Sequence, residues 1–198
     1  ASLCGRTLEI SFGLENAAIR RANLVAFVFS VAFVAMEASL TFLATQRFGY
    51  TAKENGILLG FLGLCAVVTQ GYIVRKLLKV ANELPVLTAG MAFTAAGMMA
   101  VGFATQPWML YLGLAALALG SGLVNPSTSG LISLYAGADE QGRVLGIYRS
   151  LSALARAITP IVAGIVFWRF GSRSVFVGGA VLSAVALVIS TTLPKPVK

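Results

Sequence analysis

Arg149 and Arg156 stand seven residues apart in an otherwise apolar stretch, and Glu37 stands alone in another. Seven residues is about two helical turns, so a helix would point both arginines to roughly one side. Ser152 and Thr159 share that side, while Leu151, Leu154 and Ile158 turn elsewhere. Guanidinium groups in this pattern can hold an anion or a carboxylate. Desolvation favours the protonated form of a carboxyl group, so Glu37 is a candidate for proton exchange; the alternative is a fixed pair with Arg156. Gln70, beside Thr69, is a third polar position within an apolar run. Asn125-Pro126 is a fourth, with Ser121, Thr128 and Ser129 near it; Ser121, Asn125 and Thr128 have helical spacing and make one stripe. Pro126 and Pro160 are candidate helix kinks, because proline frees a carbonyl one turn earlier, which neighbouring hydroxyls can satisfy. At Pro126 the kink either lines a cavity as a hinge or merely suits packing.

The elements that position these residues are membrane helices. Of 198 residues, 58% are hydrophobic and 11% charged, against about 25% charged in a soluble domain. Six runs approach the ~20 apolar residues that a span needs. They are Ala22 to about Thr45, about Ala52 to Val74, about Leu84 to Thr105, Pro107 to about Tyr135, about Gly142 to Trp168, and about Ser174 to Leu193. A charge at the bilayer centre costs roughly 2.5–3.5 kcal/mol on the mildest scale, so the arginine stripe must face protein or water. The connections are short, which makes successive helices antiparallel.

Residues 1–21 read as a cytoplasmic segment or connecting loop, 22–193 as a six-helix membrane domain and 194–198 as a cytoplasmic tail. Nine Lys and Arg fall in the loops of one side and four in those of the other, with Arg149 and Arg156 inside the fifth run. The positive-inside rule then puts both termini in the cytoplasm of a multi-pass protein. Short loops favour a bacterial inner membrane. The net charge of +8 is thus a topology signal and gives no reason to expect nucleic acid. With no His and two Cys, no metal site or cofactor is expected. No nucleophile elbow, phosphate loop or carboxylate pair suggests an enzyme.

An internal repeat is present. Glu54-Asn55-Gly56-Ile57-Leu58-Leu59-Gly60 opens the second run, and Glu140-Gln141-Gly142-Arg143-Val144-Leu145-Gly146 opens the fifth, an offset of 86 residues. The same offset carries the first run onto the fourth and the third onto the sixth, giving repeats of about 22–105 and 107–193. Three helices separate the copies, so they insert in opposite directions, as in inverted-repeat transporters. Gln70 corresponds to Arg156 under this offset. Gly56, Gly60 and Gly63, and likewise Gly142 and Gly146, are expected to let helices pack closely.

Met36-Glu37-Ala38, the basic Arg75-Lys76 loop, Gly120-x-Gly122-x-x-Asn125-Pro126, Gln141-Gly142-x-x-x-Gly146 leading to Ser150, and Leu154-Ala155-Arg156 with Pro160 form a set. Over roughly Asn23 to Leu193, the sequence resembles the carboxy-terminal half of a major facilitator superfamily transporter. The likeness is strongest to the drug:proton antiporters and the tetracycline-efflux group. The resemblance implies an all-α membrane fold, half of a major facilitator, with six helices as two inverted three-helix repeats. It also implies that the first, second, fourth and fifth helices line a cavity while the third and sixth are peripheral. Glu37, Gln70, Asn125, Arg149 and Arg156 would then lie on cavity helices. Val74 stands where the family's basic loop carries an Asp before its Arg. The expected function is proton-coupled export of a small lipophilic or organic molecule, by alternating access with a second six-helix half. That half would be a separate chain, a missing segment or a second copy. The alternative is a non-transporting structural or assembly subunit of a larger membrane complex. Membrane lipid, protons and a small-molecule substrate are the other expected partners.

Overall fold

In the computed structural model, residues 16–80, 82–137 and 139–194 are described. They form six helices long and apolar enough to cross a membrane, with no strand among the described residues. These are α1 (Ala17–Phe48), α2, α3 (Glu83–Phe103), α4 (Pro107–Tyr135), α5 (Gln141–Phe170) and α6 (Ser172–Thr191). α2 has three parts: an α-helix over Ala52–Val68, a π-helical turn over Thr69–Ile73, and α-helix again over Val74–Val80.

Local chemistry sets the ends. The Asn16 side chain accepts from the Ala18 amide and starts α1 at Ala17, five residues before the expected Ala22; residues 1–15 of the expected terminal segment lie outside the described residues. Gly49 stops α1 in the left-handed region, φ +68°, with its N–H on the Ala44 and Thr45 carbonyls. Two residues later Thr51 and Glu54 form a reciprocal capping box that opens α2. Between α5 and α6 a single residue, Gly171 at φ +83°, makes the whole connection.

The tightest joint is between the sequential neighbours α3 and α4. A β-carbon at Gly90 would stand 2.9 Å from the Gly120 carbonyl oxygen, and one at Gly97 would stand 2.9 Å from that of Gly113. The two pairs run in opposite order along the two helices, so this is an antiparallel backbone-to-backbone seam of the kind small residues permit in membranes. α3 also packs on α6, while α1 packs chiefly on α5 and α6. This pattern has the internal two-fold that the repeat predicts: α1 lies against α5 and α6 as α4 lies against α2 and α3.

α2 and α5 are left uncovered. Only 17% of the apolar stretch of α2 and 22% of that of α5 is buried, against 50% in α3 and 56% in α4. The expectation that Gly56, Gly60, Gly63, Gly142 and Gly146 draw helices together is not met within this chain, for a β-carbon at any of them meets nothing within 4 Å. Among the described residues these glycines have no packing neighbour.

Candidate functional site

α1, α2, α4 and α5 together wall a recess of about 570 Å3. Its polar lining is Ser30, Gln70, Asn125, Ser129, Ser152, Arg149 and Arg156, and Phe29, Phe33 and Tyr148 supply an aromatic wall. Phe29 and Phe33 stack with ring centroids 6.0 Å apart, fixing that wall one turn apart on α1. Four of the expected site residues, Gln70, Asn125, Arg149 and Arg156, therefore share one space, together with Pro126. Gln70 and Arg156, related by the repeat, face it from opposite triplets of helices.

Glu37 lies outside the lining. It is exposed and lies on the α1 face that carries Ser30, Phe33 and Val34, one turn beyond them. Among the described residues no ion pair joins Glu37 to Arg156. Arg149 and Arg156 are both exposed to the recess side, and among the described residues no carboxylate neutralises either. Two uncompensated guanidinium groups beside aromatic rings suit a planar or lipophilic anion, since arginine offers forked donors and stacks on aromatic faces. Among the described residues no cluster of His, Cys, Asp or Glu could hold a metal ion.

Two expectations are corrected. Thr159 does not share the arginine side: it is buried, 4% exposed, and lines a crevice between α1, α5 and α6. At 100° per residue it is turned about 60° from Arg156, enough to cross from the recess to the packed face. The Ser121–Asn125–Thr128 stripe is split. Asn125 faces the recess, while Ser121 and Thr128 are buried and bond within their own helix, to the Ala118 and Val124 carbonyls. Neither therefore satisfies the Gly122 carbonyl, the one that Pro126 frees. α4 and α5 run as continuous helices through Pro126 and Pro160. Two aromatic residues of the same helices lie elsewhere: Phe27 of α1 lines the outer crevice, and Tyr72 of α2 is exposed beneath Lys76 Nζ, 6.0 Å from its ring centroid.

The π-helical turn of α2 has no counterpart in the sequence reading. Thr69 is buried there, its hydroxyl on the Cys65 carbonyl at 2.8 Å. A β-carbon on Gly122 of α4 would come 2.5 Å from the Thr69 methyl carbon. Thr69 is thus pinned against α4, and the extra residue of the wider turn is accommodated at Gln70, which faces the recess. Under the repeat Val74, which closes that turn onto the Thr69 carbonyl, is equivalent to Pro160. Both repeats depart from an uninterrupted α-helical ladder at the same depth. The only sequence signal is the helix-weakening Gly71, which does not separate a π turn from an ordinary helix.

A profile of the Major Facilitator Superfamily matches residues 22–198. The mouse (Mus musculus) Major facilitator superfamily domain-containing protein 10 is 31% identical over 178 residues, 90% of this chain and 39% of the relative. The class D tetracycline resistance protein of Salmonella ordonez is 28% identical over 179 residues, 87% of this chain and 45% of the relative. The crystal structure of the human organic anion transporter MFSD10 (TETRAN) superposes with a TM-score of 0.84 at 28% identity, covering 90% of this chain and 42% of that one. The chain thus spans less than half the length of these relatives. Six helices paired in this way, with the profile covering nearly all of them, settle the family: the chain belongs to the Major Facilitator Superfamily, a family of membrane transporters and not of enzymes.

Proposed function

We propose that this chain is one half of a secondary active transporter that exports a small organic anion in exchange for protons, by alternating access against a second six-helix half. The observation that carries the proposal is the pair Arg149 and Arg156, uncompensated by any carboxylate among the described residues, facing a recess with an aromatic wall. Arg156, deep in the helix, contacts the anion; Arg149, nearer the α5 start, gathers it. Glu37 carries the proton, with Gln70 and Asn125 as polar contacts and Pro126 and Pro160 as points of helix bending. The second half covers α2 and α5, whose glycine faces meet no neighbour among the described residues. Lys and Arg placement supports cytoplasmic termini, and the brief connections support a bacterial inner membrane. The printed name of the human relative, an organic anion transporter, agrees with the charge of the recess. The alternative of a structural subunit calls for a fixed Glu37–Arg156 pair, and among the described residues these two are not paired.

The test is movement of carboxyfluorescein, an organic anion probe, through vesicles holding the assembly extracted from its own membrane, under an imposed pH gradient. Losing one charge-assisted contact costs about 1.5–3 kcal/mol, so Arg156→Gln weakens probe affinity about 10- to 100-fold. Glu37→Gln removes the dependence on the gradient while the helical content stays. Gradient-driven movement that is unchanged in both variants refutes the proposal.

A further inference from the structure

Two recesses adjoin at the end of the bundle that carries the α1–α2 and α5–α6 connections. One, of about 340 Å3, is lined by Gln46, Arg47, Phe170, Gly171, Ser172 and Arg173. The other is an apolar crevice of about 240 Å3 between α1, α5 and α6, with Val31, Ala35, Ile158, Val166, Val175 and Gly178 among its walls. Ser174, at the near end of the crevice, directly follows Arg173, and Val166 is one turn before Phe170. The two spaces are therefore neighbours along both α5 and α6.

The polar recess is positive, and among the described residues no carboxylate lines it. Arg47 Nη1 donates to the Gly102 and Ala104 carbonyls, each at 2.9 Å, and Nη2 lies 3.4 Å from Ser172 Oγ. Arg173 rests over the Phe103 ring, 5.8 Å from its centroid, and lines the same recess as Arg47. The first-turn amides of α6, a 20-residue helix, open on the same place and favour negative charge. Both tryptophans of the chain mark this level: Trp168 is 87% and Trp108 62% exposed, and indoles collect at the headgroup depth of a bilayer. A headgroup phosphate and the top of an acyl chain meet at that depth.

We propose that this end of the chain binds one anionic glycerophospholipid, with its phosphate between Arg47 and Arg173 and an acyl chain in the crevice between α1, α5 and α6. Positive charge alone would accept any phosphate; the adjoining apolar crevice selects the lipid. The site is separate from the Arg149–Arg156 recess and does not depend on what that recess transports.

Gly178 offers a clean probe. A β-carbon there meets nothing within 4 Å, whereas one at Gly179 stands 2.8 Å from Met98 Sδ. Gly178→Phe therefore fills the crevice without disturbing helix packing. The chain, extracted with its assembly and stripped of lipid in detergent, is titrated with dioleoylphosphatidylglycerol and followed by native mass spectrometry. Dioleoylglycerol and inorganic phosphate serve as half-ligands. One phosphatidylglycerol per chain is expected, with apparent affinity reduced at least about tenfold by Arg173→Gln and by Gly178→Phe alike, and no comparable binding of either half-ligand. Unchanged lipid binding in Gly178→Phe overturns the site, whatever Arg173→Gln does to folding. Inorganic phosphate competing at equal concentration overturns the lipid and leaves an ion site.

Discussion

Replacing Gly120 with alanine sets a methyl group 2.6 Å from the Thr94 amide nitrogen and 2.7 Å from the Gly90 carbonyl oxygen. The Thr94 hydroxyl is nearer still, but these two obstacles are backbone of α3, so moving that side chain does not relieve them and the helices must part. Overpacking of this kind costs about 1–3 kcal/mol, and the upper end applies because the seam is the tightest in the molecule. Gly146→Ala is the matched control. It makes the same chemical change within a helix, but its new methyl meets nothing within 4 Å, and exchanging glycine for alanine gains up to about 1 kcal/mol of helix propensity. That gain is common to both variants, so they should differ by about 3 kcal/mol. At roughly 2–4 °C per kcal/mol for a chain of this size, that is a separation of about 6–12 °C in melting temperature. The assay is circular dichroism on heating in detergent micelles. Equal melting temperatures for the two variants would refute the distinction between packed and unpacked glycines, and with it the case that the α5 face awaits a partner.

Other perturbations act at single joints. Gly146→Leu should leave the melting temperature of the chain near that of the unsubstituted protein yet reduce copurification with a second half, read by size-exclusion chromatography of the extracted assembly. Gly171→Ala forces a β-carbon into a backbone at φ +83°, and should destabilise by about 1–2 kcal/mol, seen as an earlier thermal transition. Thr51→Ala removes the capping box that opens α2 and should cost about 1 kcal/mol, with hydrogen exchange rising in the first turn of that helix only. Arg47→Gln strips the charged donor from the carbonyls that end α3. It should lower stability by about 2 kcal/mol, again read as a thermal shift.

Much of the architecture was legible because each link rests on a local rule. Six apolar runs and the Glu-amide-Gly-x-x-Leu-Gly repeat give the six helices and their two-fold, whereas the caps at Asn16, Gly49, Thr51 and Gly171 fix the ends in the structure and were not read from the sequence. The side-chain stripes were legible to about half a turn. That tolerance sufficed for Arg149, Ser152 and Arg156, which fall on one wall, and failed for Thr159, which sits just past its edge. It failed again on α4, where only Asn125 of the Ser121–Asn125–Thr128 stripe reaches the recess, because the seam with α3 buries the flanks. The π turn was not legible. It arises where Thr69 packs against Gly122 from a distant helix, a tertiary demand that periodicity within α2 does not record. The glycines misled for a related reason: spacing finds a small-residue face but does not say which neighbour uses it.

The exchange of partners between the repeats has a consequence for how the chain is made. α1 ends at Phe48 and its main neighbours, α5 and α6, begin at Gln141 and Ser172, so roughly 100 residues must be translated before α1 meets them. At about 5–20 residues per second that is a wait of some 5–20 s, during which α1, carrying Asn23 and Glu37, sits in the bilayer without its main neighbours from this chain. Only α3 and α4 are both consecutive and extensively packed, so their hairpin can close as soon as α4 emerges and act as a template. α2 can then join that hairpin on α4, whereas α1 waits for its main neighbours until α5 and α6 arrive. The apolarity of α1, broken in its middle by Glu37, therefore serves a temporary need as well as a final one: it keeps the helix in the membrane before α5 and α6 arrive to pack on it.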